Sequence, residues 1–300
     1  MTGAVRPKQP TVFTRTPHVR KSVMTDFNTA VIEEFRAGEG RVGGPFENAR
    51  LLLLTTTGAR SGKPHTVPLG FLHDGQGRML VIASAAGSAR HPAWYHNLRA
   101  NPRATVETGT STFEADAEIL PERERAEAFA RAVEADPGWA EYQRKTVRVI
   151  PVVALVPVAA KPSDRRWGDD LVAIHTVFRR ELALVRHEIA SSGPGLGAQL
   201  RINCLMVCRG LSHHHTAEDT ELFPALDEQH PELGPVMRRL RAGHEVVERL
   251  IGELQAAIGT DGLGRDELRE KAEHLTKEVE AHLDYEEEQL VPVLNRMPEA

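Results

Sequence analysis

The sequence predicts an α+β protein in two parts, a small antiparallel β-barrel followed by an all-α, up-down four-helix bundle. Three observations predict it. Short β-rich runs separated by Gly, Asn and Asp turns fill residues 27–157. After Pro157 the chain turns helical almost to its end, with breaks at 191–197, 229–231 and 259–264. Each of the four helices so defined brings at least one histidine to an apolar stripe.

The barrel strands are expected at Leu51–Thr56, Thr66–Leu72, Met79–Ala83, Ala104–Glu107, Phe113–Leu120 and Val149–Val156, with helices at Phe27–Arg36, Pro92–Arg99 and Pro121–Ala135. Lys161-Pro162-Ser163-Asp164 reads as a linker. The expected organisation is therefore a flexible leader (1–26), the barrel (27–157), a linker (158–166) and the bundle (167–296). Two domains also suit 300 residues, because one core seldom grows beyond roughly 250.

Composition narrows the function. A net charge of -5 argues against nucleic-acid binding, which needs a basic surface. No run approaches the roughly 20 apolar residues of a membrane span. The first residues hold Arg6, Lys8, Arg15, Arg20 and Lys21 but no signal-length apolar stretch, so a cytoplasmic protein is expected. The two cysteines, Cys204 and Cys208, lie one helical turn apart; they exclude a disulfide framework and read as buried thiols.

In the second bundle helix Leu211, His214, Glu218 and Leu222 share a face, and in the fourth Leu275, Val279, His282, Glu286, Leu290 and Val293 do the same. His175 and His244 stand on the first and third helices. A carboxylate buried alone in such a stripe costs several kcal/mol, and metal coordination removes that penalty. A histidine with a carboxylate one turn later grips one ion, and the carboxylate can bridge to a second. Nitrogen and oxygen ligands without thiolate favour iron or manganese over structural zinc. The expected ligands are His175, His214, Glu218, His244, His282 and Glu286. His215, which pairs with Asp219 on a neighbouring face, competes with His214, and Glu287 competes with Glu286. His230 and His274 read as surface or helix-end residues.

The phrase His213-His214-His215-Thr216-Ala217-Glu218-Asp219, with Leu222-Phe223-Pro224-Ala225-Leu226 after it, resembles a hemerythrin-like HHE cation-binding domain. So does His282-Leu283-Asp284-Tyr285-Glu286-Glu287 followed by Leu290-Val291-Pro292. The resemblance implies a non-haem centre of two iron ions, with manganese as the other candidate, that handles oxygen, nitric oxide or peroxide, or senses iron. The chain departs from the oxygen carriers of that family, with Leu240 and Lys277 where those have further histidines. Reactive iron is accordingly expected here rather than reversible oxygen carriage.

In the first part, the segment from Thr55 to Pro64 sits between two strands and packs Gly58, Arg60, Gly62 and Lys63 among hydroxyls. Glycine lets backbone approach an anion, and the two cations neutralise it. It is not a P-loop, because Pro64 stands where a magnesium-binding Ser or Thr belongs. A second wall runs from Ala83 to Ser88, then through His91-Pro92-Ala93-Trp94-Tyr95-His96-Asn97-Leu98.

Together with Val31-Ile32-Glu33-Glu34-Phe35-Arg36, Pro68-Leu69, Asn101-Pro102, Tyr142-Gln143-Arg144-Lys145-Thr146 and Arg148-Val149-Ile150-Pro151, these phrases resemble the deazaflavin (F420)-dependent nitroreductase and quinone reductase family. The resemblance implies a split β-barrel, a type that often pairs as a homodimer. It implies coenzyme F420 bound by Thr57, Gly58, Arg60, Ser61, Gly62, Lys63, Pro68, Leu69, Ser84, Gly87, Ser88, Trp94 and Asn97. Arg60, Ser61 and Lys63 would meet the phosphate and glutamate tail, Ser84–Ser88 and Trp94 would flank the ring, and Trp139 and Tyr142 would line the substrate side. His65 stands where the family more often has arginine. The implied chemistry is hydride transfer to an acceptor, a cofactor-borne reaction for which the protein supplies position and shielding.

The expected function is an F420H2-dependent oxidoreductase that passes reducing equivalents to a quinone-like or nitro acceptor, or to oxygen, peroxide or nitric oxide at the iron. The alternative is a bundle that senses or binds oxygen, nitric oxide or iron and regulates an independent reductase.

Overall fold

Four leucines in a row open the first strand, β1 (Leu51–Thr57), and their burial on both faces shows how the first part is assembled. Leu52 and Leu54 point into a barrel, while Leu51 and Leu53 pack under Val31 and Phe35 of the first helix, α1 (Pro17–Ala37). A strand covered on both sides loses the alternation of a half-solvated one and reads as a continuous apolar run. In this computed structural model residues 17–160, 164–192, 196–259 and 265–297 are described, except the side chains of 17–26 and 160. Most of the expected leader, 1–16, and the heart of the expected linker, 161–163, thus lie outside the described residues.

Five more strands follow: β2 (Pro64–His73), β3 (Met79–Ile82), β4 (Arg103–Glu107), β5 (Thr112–Ile119) and β6 (Val152–Ala160). All pairings are antiparallel, and the order β1-β2-β3-β6-β5-β4 closes because β4 also pairs with β1. Three helices decorate the barrel: α2 (Ala93–Ala100), α3 (Glu122–Ala135) and α4 (Gly138–Arg144). Ala128, Phe129 and Ala132 of α3 cover the outer face of β3 and β6 over Leu80, Ile82, Val152 and Ala154.

Two local differences from the sequence expectation have simple causes. β6 begins at Val152 rather than Val149 because Pro151 has no N–H for the ladder and the Ile150 amide is taken by Gln143 Oε1 at 3.0 Å. α4 was not expected as a helix; Asp136 Oδ1 accepts from the Gly138 amide at 2.8 Å and starts it.

The bundle comprises α5 (Trp167–Ser191), α6 (Ala198–Ala217) continued by a π turn (Glu218–Leu222) and α7 (Phe223–Gln229), then α8 (Gly234–Gly259) and α9 (Arg265–Leu294). The π turn has a sequence cause. Pro224 cannot donate to a carbonyl four residues back, and the Phe223 amide reaches Glu218 instead. The interior has two apolar layers. One is built on Leu182, Cys208, Leu211, Leu275 and Leu283, the other on Leu171, Phe223, Met237, Leu240 and Leu290. Between them lies a layer of histidines and glutamates.

The two parts are joined by polar contacts. Arg50, 8% exposed, donates to Glu181 at 2.8 Å and also pairs with Glu188, both on α5. Gln199 of α6 donates to the His73 carbonyl at 2.9 Å, and Glu134 of α3 accepts from the Ala198 amide at the start of α6 at 2.9 Å. Among the described residues no helix is long and apolar enough to cross a membrane.

Candidate functional sites

At the centre of the bundle, α5, α6, α8 and α9 bring seven side chains together. His175, His214, Glu218 and Glu286 offer ligand atoms within 4.8 Å of one another, and His215, His244 and His282 form a second such group. His175 Nε2 and His214 Nε2 face each other at 3.1 Å. Glu218 lies between the groups, with one oxygen 3.1 Å from His214 Nε2 and the other 3.4 Å from His244 Nε2. Glu286 Oε2 is 3.7 Å from both His175 Nε2 and His282 Nε2. All six expected ligands meet here. His214 and His215 are not alternatives, because both reach the centre, one in each group. The cluster therefore holds five imidazoles.

The side chains fit a pair of metal ions. Both oxygens of Glu218 and of Glu286, both nitrogens of His215 and of His244, and His282 Nε2 are buried without a hydrogen-bond partner. Orphaned buried polar atoms cost about 1–3 kcal/mol each, and so many in one place need an ion to satisfy them. Burial, reinforced by the neighbouring imidazoles, pushes His214 and His282 down to about 3 and His215 down to about 2. At neutral pH these rings keep their lone pairs, which is the form a metal binds. Burial drives both Glu218 and Glu286 upward, and for Glu286 the facing Glu218 adds to it. Two carboxylates so placed are uncomfortable as anions until a cation lies between them.

Glu287, the alternative to Glu286, stands outside the cluster. It accepts from His175 Nδ1 at 2.8 Å and from Arg179 Nη1 at 2.6 Å. Against the upward push of burial, these two donors hold its carboxyl below the usual range. A carboxylate on the outer nitrogen fixes the ring and leaves Nε2 to the centre. Asp219 stands similarly to His244, 3.0 Å from Nδ1, though off the line a hydrogen bond requires. The π turn brings Asp219 to this ring alongside Glu218. Gly243 is equally specific, since a Cβ there would lie 2.4 Å from His282 Nδ1. Phe223 stacks on His244 at 5.3 Å and Phe178 lies 5.2 Å from His214. His274 is exposed and His230 lies at a helix end, bonded to Glu232. Cys204 and Cys208 are buried free thiols.

The second site is a groove of about 980 Å³ at the end of the barrel where β1 meets β2. Arg60, Arg90 and Arg99 line it with His65, His91 and His96, and no carboxylate is among its described lining residues. The loop from Gly58 to Lys63 is held from within. The Gly58 amide donates to the Lys63 carbonyl at 2.9 Å, the Gly62 amide to the Gly58 carbonyl at 2.8 Å, and the Lys63 amide to Ser61 Oγ at 3.3 Å. Gly58 has no room for a Cβ, which would meet Ser61 Oγ at 2.4 Å, and Gly62 sits at φ +64°. With these amides engaged, anion binding falls to the side chains. An anionic tail fits such a cradle, with Arg60 and Ser61 on its wall.

Asn97 is among the groove's lining residues, whereas several other expected cofactor residues are not. Asn97 is buried and holds the loop, accepting from the Ala59 amide at 3.0 Å and donating to Thr56 Oγ1 at 3.0 Å. Trp94 is turned into the barrel core beside Leu52, Leu54 and Val81, so Ala93 and His96 form that wall of the groove. Pro68 and Leu69 are half-buried farther along β2, Thr57 is exposed at the end of β1, and Lys63 is exposed beside the groove. Trp139 and Tyr142 pack edge to face at 5.8 Å, and Trp139 lines a separate cleft of about 620 Å³ against the bundle.

The Ser84–Ser88 segment, which is not among the groove's lining residues, is strained. Ala85 and Ala86 have φ of +47° and +52°, rare for residues with a Cβ. Arg148 maintains it by donating to the carbonyls of Ser84 at 2.6 Å, Ser88 at 2.9 Å and Ala83 at 3.1 Å. Gly87 is walled in by α4, where a Cβ would lie 2.7 Å from Lys145 Cβ and 2.9 Å from the Tyr142 carbonyl. No spacing pattern in the sequence singles out Arg148 for this task, although it opens one of the phrases that resemble the reductase family.

Comparison with known proteins matches each of the two parts to a family. The family model of F420H(2)-dependent quinone reductases matches residues 29–157, and that of the hemerythrin HHE cation-binding domain matches 168–294. The F420H(2)-dependent quinone reductase Rv1261c of Mycobacterium tuberculosis is 36% identical over 126 residues, which is 40% of this chain and 83% of that protein. A solved F420-H2 dependent reductase, FDR-A, is 42% identical over 35% of this chain and 93% of its own, at a TM-score of 0.33. The chain belongs to the F420H(2)-dependent quinone reductases, a family of oxidoreductases, through its barrel. It carries a hemerythrin HHE domain as its second part.

Proposed function

We propose that the barrel oxidises F420H2 with a quinone-class acceptor and that the bundle holds a non-haem di-iron centre acting on oxygen, peroxide or nitric oxide. One observation carries this reading: the same chain holds a carboxylate-free cation groove and a buried cluster of five imidazoles and two carboxylates. When bound, reduced F420 supplies a hydride and the iron pair supplies single-electron chemistry toward a small oxidant. Arg60, Arg90 and Arg99 hold the anionic tail, and Arg148 keeps the Ser84–Ser88 wall in shape for the ring. In the bundle His175, His214, Glu218, Glu286, His215, His244 and His282 hold the ions, and the apolar layers on either side exclude water. Two unbridged thiols fit a cytoplasmic setting.

The placement of the two sites limits how they cooperate. The cation groove lies at the Thr57 end of β1, whereas the bundle grips Arg50 just before Leu51 at the other end. Seven residues of strand separate these ends by roughly 20 Å. Hydride transfer needs reacting atoms about 3–3.5 Å apart. Coupling within one chain therefore calls for a carrier, and a diffusible quinone reduced at the barrel meets that need. Oxygen uptake driven by F420H2 and catalytic menadione tests this. We expect uptake by the iron-loaded wild type well above the autoxidation of menadiol alone, and a fall to that background in the His214→Ala/His282→Ala double variant, with quinone reduction retained. Equal uptake by both proteins would remove the coupling.

A second reading, regulation of an independent reductase by the bundle, is favoured by α5, which carries both the cluster residue His175 and the Arg50 partners Glu181 and Glu188. It expects quinone reduction by the full chain to change on chelation of iron without any uptake of oxygen.

A further inference from the structure

A groove of about 990 Å³ runs between the two parts and ends on His214 and Glu218 of the metal-binding cluster. Its barrel wall is the β4–β5 turn with Thr112 and Phe113; its bundle wall includes Trp167, Ile174 and Phe178. We infer that this groove docks a neutral, flat ring of the quinone class beside the cluster. The inference rests on the reading above, in which a quinone travels between the parts.

Three features define the occupant. The first is size. A bound water takes about 30 Å³, so a diatomic gas needs a far narrower channel, whereas 990 Å³ lies at the upper end of the range of small-molecule pockets. The second is the lining. Phe113, Trp167 and Phe178 offer aromatic surface, and Trp167 and Ile174 are large apolar groups that remain 52% and 45% exposed at the groove. The third is charge. Asp164 and Glu221 line the groove as acids, and Asp170 pairs with Arg165 at 3.9 Å, the one Lys or Arg among the described lining residues. Such a surface repels the polyanionic deazaflavin that the three-arginine groove attracts, and it admits an uncharged ring. The two grooves thus sort their ligands by charge.

Trp167 is a built-in reporter, because a quinone stacked on an indole quenches its fluorescence. Menadione is titrated into full-length protein of measured iron content, anaerobically and without F420. We expect saturable quenching whose amplitude falls by at least half in Trp167→Phe. The dissociation constant should rise at least tenfold in Ile174→Glu and in Thr112→Glu, which place a charge on opposite walls, with far-ultraviolet circular dichroism checking their folds. Arg123→Ala, at an exposed position on α3, should leave it unchanged. Metal-stripped protein should still quench, which separates docking from the iron reading. Quenching that is linear in menadione, or unaltered by all three groove variants, overturns the docking site whatever the iron content. A Trp167 signal in protein that takes up no iron keeps the docking site and defeats the di-iron reading instead.

Discussion

His215 shows how much a single side chain depends on its fold. In the sequence it competes with His214, because adjacent helical residues point about 100° apart and only one stripe faces inward. In the structure the cluster is wide enough to receive both, one in each group. Residue identity at the centre was legible for His175, His214, Glu218, His244, His282 and Glu286 because stripe and carboxylate spacing agree. The orienting role of Glu287 was not, since it depends on which ring nitrogen faces outward. Gly243 gives a sharp test at this scale. Gly243→Ala places a methyl against His282 Nδ1 and should evict that ring. Plasma emission spectrometry should then find iron falling from about two ions per chain toward one, with helicity by circular dichroism unchanged. The cysteines give another. Burial pushes Cys204 and Cys208 up to about 12, so at pH 8 the thiolate fraction is on the order of 10⁻⁴. Iodoacetamide should leave both unmodified in the native protein over an hour and label both in urea, as read by intact mass.

At the scale of elements, the strands and helices were legible where pattern alone decides. The bundle breaks fell where Gly, Ser and Pro cluster, and the apolar run Leu51–Leu54 marked a strand with both faces covered. What pattern misses is a local exception. The π turn after α6 adds one residue to a turn, a change too small for a 3.6-residue period to register, and only Pro224 hints at it. The loop after β1 is a second case. Its cations and glycines were visible, but its anchor is a buried amide on another helix. Asn97→Ala would leave the Ala59 amide without its acceptor and the Thr56 hydroxyl with the His65 carbonyl alone, a loss of about 1–3 kcal/mol. We expect a lower melting temperature and a KM for F420H2 raised several-fold, with kcat for menadione reduction within twofold of wild type. An unchanged KM would show that the loop keeps its shape without this anchor.

Across the whole molecule, the two-part organisation was readable from the change of period after Pro157, but the contact between the parts was not. Arg50 lies in a strand-entry position with no pattern to distinguish it, and Glu181 and Glu188 look like any exposed acids on a helix. Only the fold sets them within reach of one another. Removing a buried partner costs about 3–5 kcal/mol, and partial exposure of the two glutamates reduces this. Arg50→Ala should therefore weaken the joint by about 2 kcal/mol. Urea unfolding should change from one cooperative transition to two, because each half then melts on its own. A single transition at an unshifted midpoint would assign the joint to the α3–α6 contacts instead.

Helix α5 gives the molecule a mechanical property as well. His175 and the two acids that hold Arg50 are six and thirteen residues apart on one continuous helix, about 9 and 20 Å along its axis. A rod of that length does not bend to absorb a small displacement at one end. With iron bound as proposed, tightening of His175 onto an ion would pull on this seam, and the heat tolerance of the barrel would gauge how fully its neighbour is loaded.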